Sequence, residues 1–174
     1  ILDQPWHQQW TGTDQDDIFI ADWGGDIYVG GLGFDVLKIG KIKLEIDIKF
    51  NSLGIGYIKN TGDVLIGIER ISCTDGDIAL AANPPSKYIL DQPWHQQWTG
   101  TDQDDIFIAD WGGDIYIGGA GFDVLAIGKT KSEIDIKFNS LGIGYIKSTG
   151  DALIGIERIS CTDGDIALAA NPPS

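Results

Sequence analysis

The sequence predicts an all-β fold, and three observations lead to this prediction. Short runs of β-branched and aromatic residues recur along the chain, as at residues 18–20 and 36–39, and each follows a turn rich in Gly and Asp. No apolar stripe with the 3.6-residue period of a helix extends beyond two turns. The two halves of the chain are also nearly identical, so the same argument applies to both.

The strands can be placed in order along the first half. Short strands are predicted at residues 18–20, 27–29 and 36–39. Residues 46–50 then alternate apolar and charged side chains, which indicates a half-buried strand. Turns of the Asn-Ser, Thr-Gly-Asp and Asp-Gly type separate the later predicted strands, which lie at residues 55–58, 64–71 and 78–80.

The chain is an internal duplication. Residues 1–86 return as residues 89–174, and only seven of the 86 shared positions differ. Every Asp, Gly, Trp, His and Cys of the first copy has a twin in the second. We therefore predict two modules, 1–86 and 87–174, with a linker around residues 83–88 whose Pro-Pro pair favours a semi-rigid, extended connection.

The two ends of the chain suggest that it belongs to a longer array. The sequence contains no Met, and it stops at Ser174, which is the twin of Ser86. A slice of a longer series of modules is the expectation that these features favour. A complete two-module protein with a processed N-terminus is the alternative.

Composition excludes several classes of function. Of the 174 residues 43% are hydrophobic, too many for a disordered acidic tail, and the net charge of −14 argues against nucleic acid as a partner. No run of 18 apolar residues is present, so no membrane insertion is expected. Each module has one His, one Cys and two well-separated Glu, so we expect no enzyme, with an Asp pair as the one alternative.

The acidic residues are concentrated at the start of each module. The first 37 residues contain seven Asp and neither Lys nor Arg, and the same holds for residues 89–125. So many carboxylates in a compact β segment repel one another unless a cation lies among them. Ligands that are all oxygen favour Ca²⁺ as that cation.

The spacing of these Asp residues has a period of nine. Residues 12–20, 21–29 and 30–38 form three consecutive units with Asp at position six and a large apolar residue at position eight. The third unit follows the pattern Gly-Gly-x-Gly-x-Asp-x-apolar-x throughout. The first two units depart from it, because Asp14-Gln15 replaces x-Gly and Ala21-Asp22 replaces Gly-Gly.

These units resemble the calcium-binding nonapeptides of the repeats-in-toxin, or hemolysin-type, proteins. The resemblance implies that each module begins with a short parallel β-roll, followed here by additional short strands. In such a roll six residues form a turn and three form a strand, and Ca²⁺ lies between stacked turns. Glycines allow the turn backbone to take positive φ values and to present carbonyl groups to the ion.

The resemblance also implies a set of metal ligands. Units one and three would stack, with Asp17 and Asp35 as the main ligands, whereas unit two would face the other side and either bind a second ion or form only a polar turn. About one to three ions per module are expected for sites of this kind. The candidate ligands are Asp14, Asp16, Asp17, Asp22, Asp26, Gly31, Gly33 and Asp35, with Asp102, Asp104, Asp105, Asp110, Asp114, Gly119, Gly121 and Asp123 in the second module.

A second candidate site is rich in tryptophan. Indole rings beside amide and imidazole groups are suited to stacking on sugar rings and binding hydroxyl groups. The alternative is that these Trp side chains cap the open end of the β-roll. The candidate carbohydrate-binding residues are Trp6, His7, Gln8, Gln9 and Trp10, with Trp94, His95, Gln96, Gln97 and Trp98 in the second module.

The sequence therefore predicts a secreted or cell-surface protein, of bacterial type, that binds Ca²⁺. We expect the modules to belong to an adhesin, a surface filament or a similar structural protein that calcium folds and stiffens, with identical modules or glycans as further partners. A calcium-dependent lectin that uses the Trp-rich segment is the alternative, in which duplication provides multivalent binding. A secretion tail of a larger toxin or hydrolase is disfavoured because the two copies are nearly identical.

Overall fold

The prediction of an all-β fold is confirmed. The computed structural model describes residues 9–21, 24–81, 87–90, 96–109 and 112–168, which form short strands and two single-turn 3-10 helices. None of the helical segments in these ranges has the length or hydropathy of a membrane-spanning helix. The chain divides into two compact units, Ile1–Pro84 and Pro85–Ser174, and each is described by itself.

The described residues of the first unit form nine strands. They are β1 (Gln9–Thr11), β2 (Ile18–Ala21), β3 (Ile27–Val29), β4 (Val36–Ile39), β5 (Ile48–Phe50), β6 (Gly56–Ile58), β7 (Asp63–Ile66), β8 (Arg70–Cys73) and β9 (Gly76–Ala79), with a 3-10 helix at Lys43–Glu45. One sheet has the order β1-β3-β7-β6-β5 and the other has the order β2-β4-β8-β9.

Strands β1 to β4 of the first unit alternate between these two sheets, which produces a parallel roll. Gln9 is paired with Ile27, and Ile18 with Val36, so one full turn of the roll takes 18 residues, or two nine-residue units. Six-residue turns, 12–17 and 30–35, connect β1 to β2 and β3 to β4. The nine-residue period of the sequence is therefore the period of the strands.

The roll continues beyond the nine-residue units into a third layer. Strand β7 pairs in parallel with β3, and β8 pairs in parallel with β4. Between the second and third layers the chain makes an excursion of residues 40–62, where β5 and β6 extend one sheet in antiparallel fashion. Strand β9 is likewise antiparallel to β8 and ends the other sheet.

The interior of the roll is filled by the apolar residues at position eight. Phe19, Leu37 and Ile71 point inward from one sheet, and Tyr28 and Leu65 from the other; each is at most 1% exposed. The rings of Phe19 and Tyr28 meet edge to face, with centroids 5.7 Å apart. Burying each such side chain contributes about 1.5–3 kcal/mol to folding, so the two sheets are held together by this core.

The second unit repeats this arrangement, and the structure also describes a strand at residues 89–90, whose counterparts Ile1 and Leu2 lie outside the described residues of the first unit. Its strands are β10 (Ile89–Leu90), β11 (Gln97–Thr99), β12 (Ile106–Ala109), β13 (Ile115–Ile117), β14 (Val124–Ile127), β15 (Ile136–Phe138), β16 (Gly144–Ile146), β17 (Asp151–Ile154), β18 (Arg158–Cys161) and β19 (Gly164–Ala167), with a 3-10 helix at Lys131–Glu133. Ile89 pairs with Phe107 and Trp98 with Tyr116, again 18 residues apart. The roll thus begins before the first nine-residue unit.

Stacking of the layers requires glycine at particular turn positions. A Cβ atom on Gly30 would collide with the carbonyl oxygen of Gly67 in the neighbouring layer and with Oδ2 of Asp35 in its own turn. Gly40, in contrast, has no atom within 4 Å of the position that a Cβ would take. Neither glycine has a positive φ. The two positions therefore differ in the room available for a Cβ atom, and neither requires a left-handed backbone.

This contrast provides a direct test of the layer spacing. We expect Gly30→Ala to destabilise the first unit by about 1–3 kcal/mol, since backbone of the next layer must move. Gly40→Ala is the matched control, and its effect should stay within about 0.5 kcal/mol. Urea unfolding of both variants measures the difference, and equal midpoints would show that the layers are not packed this closely.

Candidate metal centre

Acidic side chains from three successive layers line one edge of the roll. The backbone N–H of Asp17 donates to Oδ1 of Asp35 at 2.8 Å, and the N–H of Asp35 donates to Oε2 of Glu69 at 2.6 Å. The carboxylates of Asp35 and Glu69 thus each accept a hydrogen bond from the layer before. We call the set Asp17, Asp35 and Glu69, with its twins Asp105, Asp123 and Glu157, the carboxylate ladder.

The first rung of the ladder is satisfied within its own turn. Oδ2 of Asp17 accepts hydrogen bonds from the backbone N–H of Thr13 at 2.6 Å and from its hydroxyl at 2.9 Å. Its neighbour Asp16 reaches across to the next layer, where Oδ1 accepts the N–H of Phe34 at 2.9 Å. Both carboxylates therefore organise turn backbone, whatever else they bind.

The second rung has an unused oxygen. Asp35 and its twin Asp123 are fully buried, and among the described residues Oδ2 of each has no hydrogen-bond partner. This oxygen lies beside Gly30, where the carbonyl oxygen of Gly67 converges on the same point. A layer earlier, Oδ2 of Asp17 and the carbonyl oxygen of Gly30 converge beside Gly12 in the same way. Carboxylate and carbonyl oxygens in such cradles fit a hard cation such as Ca²⁺.

The pKa values of the buried carboxylates Asp35 and Asp123 are raised. Burial is the main cause of the raised pKa of Asp35, and the charges of Glu69, Asp17 and Asp16 raise that pKa further. The hydrogen bond from the N–H of Asp17 acts in the opposite direction. The same causes raise the pKa of Asp123 to about 6. A cation among these groups would offset the cost of ionising the buried carboxylates and lower their pKa values, because it favours the charged form.

The opposite edge of the roll carries a second pair of acidic layers. The N–H of Asp26 donates to Oδ1 of Asp63 at 3.0 Å, and the hydroxyl of Thr61 donates to Oδ2 of Asp63 at 2.6 Å. The twins Asp114 and Asp151 are joined in the same way at 2.9 Å. Asp63 is thus the stacking partner of the second nine-residue unit, which the sequence left without one.

The other predicted ligands belong to the turns. Gly31 and Gly33 have φ values of 104° and 110°, and their Cα atoms lie against the backbone of Thr13 and Gln15 in the layer before. Asp14 is exposed at the tip of its turn. In the second module Asp102, Asp104, Gly119 and Gly121 take the same places, and Oδ1 of Asp104 accepts the N–H of Phe122 at 2.8 Å. Asp22 and Asp110 lie outside the described residues.

Side chains alone do not form a metal site here. In the part of the chain that the structure describes, no group of three His, Cys, Asp or Glu side chains could hold a metal ion. A cation on the ladder would therefore need backbone carbonyl groups as ligands. Gly30 and Gly67 supply such carbonyls at the same edge of the roll as the ladder. This is the donor set that oxygen-rich calcium sites use.

The described part of the Trp-rich segment faces the core. Trp10 and Trp98 are partly buried and pack against the interior residues of their units. Among the described residues, Nε1 of neither side chain donates a hydrogen bond. This packing favours the capping interpretation for these two side chains. Gln9 and Gln97 are exposed, and the backbone N–H of Gln96 donates to Asp114 at 2.6 Å. The remaining candidates lie outside the described residues, namely Trp6, His7, Gln8, Trp94 and His95.

The comparisons with known proteins add no family to this description. No family model matches the sequence, and no curated protein matches it. The assignment of a function therefore depends on the geometry of the ladder.

Sequence analysis overlooked the third layer of both edges. Asp63, Glu69 and Gly67 are separated from the nine-residue units by the excursion of residues 40–62. One signal was present, because Asp63-Val64-Leu65 repeats the Asp-x-apolar triplet of positions six to eight. Glu69-Arg70-Ile71 has the same spacing with Glu in place of Asp, but the turn that precedes Arg70 comprises only residues 67–69 and so lacks the six-residue length of the units.

The buried rung leads to a prediction about pH. Because the pKa of Asp123 is about 6 in the fold and 3.8 without it, the folded state holds a proton that the unfolded state releases between these values. The free energy of unfolding of the cation-free protein should therefore fall as pH rises from about 4 to 6. Asp35→Asn with Asp123→Asn removes the charge and places an amide beside the Gly67 and Gly155 carbonyls.

We expect this double variant in chelator at pH 7 to be more stable than the wild type by about 1–3 kcal/mol. At pH 4 the difference should nearly vanish. Thermal unfolding across this pH range measures both quantities. A cation-free wild type that is more stable than the variant at pH 7 would contradict the assignment.

Proposed function

We propose that each module is a calcium-dependent β-roll of an extracellular structural or adhesive protein. The observation that carries the proposal is the buried Oδ2 of Asp35 and Asp123, which has no partner and lies beside a backbone carbonyl. A buried carboxylate oxygen without a partner is costly, and a bound cation removes that cost. The resemblance of residues 12–38 to calcium-binding nonapeptides supports the same ion.

The charge around the ladder supports a cation in place of a basic side chain. In the described ranges, the ion pairs of the two Arg side chains join Arg70 to Asp77 and Arg158 to Asp165, both at 3.5 Å and both exposed. No ion pair to Lys or Arg is formed there by Asp17, Asp35 or Glu69. The ladder is therefore left without a protein cation.

Calcium binding of this kind would make folding of the module depend on whether it lies inside or outside the cell. Without a cation the carboxylates repel one another and weaken the stacked layers. Extracellular calcium sites commonly have dissociation constants of roughly 10⁻⁴–10⁻³ M, so such a roll closes outside the cell and stays loose at cytosolic calcium. Because the ion binds the folded state, it stabilises the roll by mass action.

A structural role fits the tandem organisation better than catalysis does. The two modules share 79 of 86 positions, so both present the same surface chemistry and the same calcium response. Repeated, ion-stiffened units are suited to building a stalk or filament, or to displaying one adhesive surface several times. We therefore infer that the chain supplies repeating modules of an adhesin or a surface filament.

Calcium titration of the chelator-treated protein tests the proposal. We expect the unfolding midpoint to rise with calcium, by an amount equivalent to about 2.7 kcal/mol at a hundredfold excess over the dissociation constant. Magnesium should be less effective, because it demands regular octahedral geometry. Circular dichroism should show a calcium-dependent gain of β signal.

The variants identify the residues responsible. Asp35→Ala with Asp123→Ala should abolish the calcium response, since the buried ligand oxygen is lost. Asp47→Ala with Asp135→Ala is the matched control, because it removes the same charge away from the ladder and should leave the response unchanged. A wild-type protein whose stability is the same in calcium and in chelator would refute the proposal.

A further inference from the structure

We propose that the last layer of the carboxylate ladder forms a distinct divalent-cation site, made by Asp35, Glu69 and the carbonyl of Gly67. The twin site consists of Asp123, Glu157 and the carbonyl of Gly155. Glu69 and Gly67 lie outside the nine-residue units, and the sequence pattern assigns them no role. The inference rests on the proposed calcium function and adds the place and ligands of one ion.

The shape of the last turn explains why glutamate stands at this position. The chain passes from β7 to β8 through residues 67–69 alone, and Gly67 makes the sharp turn with a φ of 65°. The N–H groups of Glu69 and Arg70 both donate to the carbonyl of Asp35, at 3.0 and 3.2 Å. From this shorter turn, the additional methylene of Glu69 carries its carboxylate to the Asp35 N–H.

The unused oxygen lies on Asp35 of the second layer, at the junction with the last layer, and not on Asp17 of the first. Oδ2 of Asp17 already accepts two hydrogen bonds from Thr13. Oδ2 of Asp35 accepts none, although Asp35 is fully buried, and it lies where the carbonyl of Gly67 also converges. Glu69 brings a second carboxylate next to Asp35, with Oε2 on the Asp35 N–H, and we assign its other oxygen to the ion as a ligand.

The basic side chain adjacent in sequence to Glu69 is directed elsewhere. Arg70 follows Glu69 in the sequence, but its guanidinium stacks on the Phe34 ring at 4.8 Å and pairs with Asp77 at 3.5 Å. Arg158 is held in the same way by Phe122 and Asp165. Two carboxylates and a carbonyl thus meet without a protein cation between them, and a mixed set of this kind selects Ca²⁺ over Mg²⁺.

The test is the number of calcium ions bound by the whole chain. In Glu69→Gln with Glu157→Gln, the amide oxygen can still accept the Asp35 and Asp123 N–H, so the backbone bond is kept while the ligand charge is lost. Isothermal titration calorimetry, or equilibrium dialysis with metal analysis, should show two ions fewer per chain than in the wild type.

The chain provides a matched control. Glu45 and Glu133 are the other two glutamates, and their Oε2 atoms also accept a backbone N–H, at 2.9 and 2.8 Å, in the 3-10 turns. Glu45→Gln with Glu133→Gln should bind as many ions as the wild type. Equal stoichiometry in all three proteins would overturn the inference and leave the calcium proposal intact, whereas a wild type that binds no calcium would overturn both.

A second measurement covers the case in which the variant does not fold. Anomalous scattering from a calcium-loaded crystal of the wild type locates the ions without any substitution. We expect a peak at about 2.3–2.6 Å from Oδ2 of Asp35, the carbonyl of Gly67 and the Glu69 carboxylate. Peaks that touch Asp17 or Asp26 but not Glu69 would contradict this site while supporting calcium binding elsewhere.

Discussion

The structure depends on the stacking of acidic turns at the spacing of β-strands, about 4.8 Å. The parallel register places position six of each turn directly against position six of the next, so Asp17, Asp35 and Glu69 meet at one edge of the roll. Their hydrogen bonds to backbone N–H groups stabilise the stack, while their mutual repulsion and burial oppose it. A proton or, as we propose, a cation would compensate this charge.

Each ladder carboxylate can serve two purposes because it has two oxygens. One oxygen of Asp35 accepts the N–H of the preceding layer and so fixes the register. The other oxygen lies without a partner beside the Gly67 carbonyl. Oδ2 of Asp17 differs, because it accepts hydrogen bonds from both the backbone N–H and the hydroxyl of Thr13. We therefore expect an added cation to matter more at Asp35 than at Asp17.

The excursion of residues 40–62 has a structural consequence for both edges. It interrupts the nine-residue period, yet the chain returns in register as β7 and β8 and supplies a third layer to each edge. Asp63 completes one edge and Glu69 the other. The acidic stack is thereby one layer deeper than the repeated motif, and it ends where the antiparallel strands β6 and β9 close the two sheets.

The sequence by itself determined the class of fold, the strands of the nine-residue units and the acidic character of one segment of each module. Those features are local: position eight is apolar because it faces the interior, and position six is acidic because it lies in the turn.

Only the tertiary structure decided which carboxylates meet. The partner of Asp35 is 34 residues away across an irregular excursion, and its length and course cannot be read from a period of nine. The partial burial of Trp10 was likewise decided by its pairing with Tyr28, 18 residues along the chain. Stacking is a long-range contact, and local patterning carries no information about which layers a long insertion brings together.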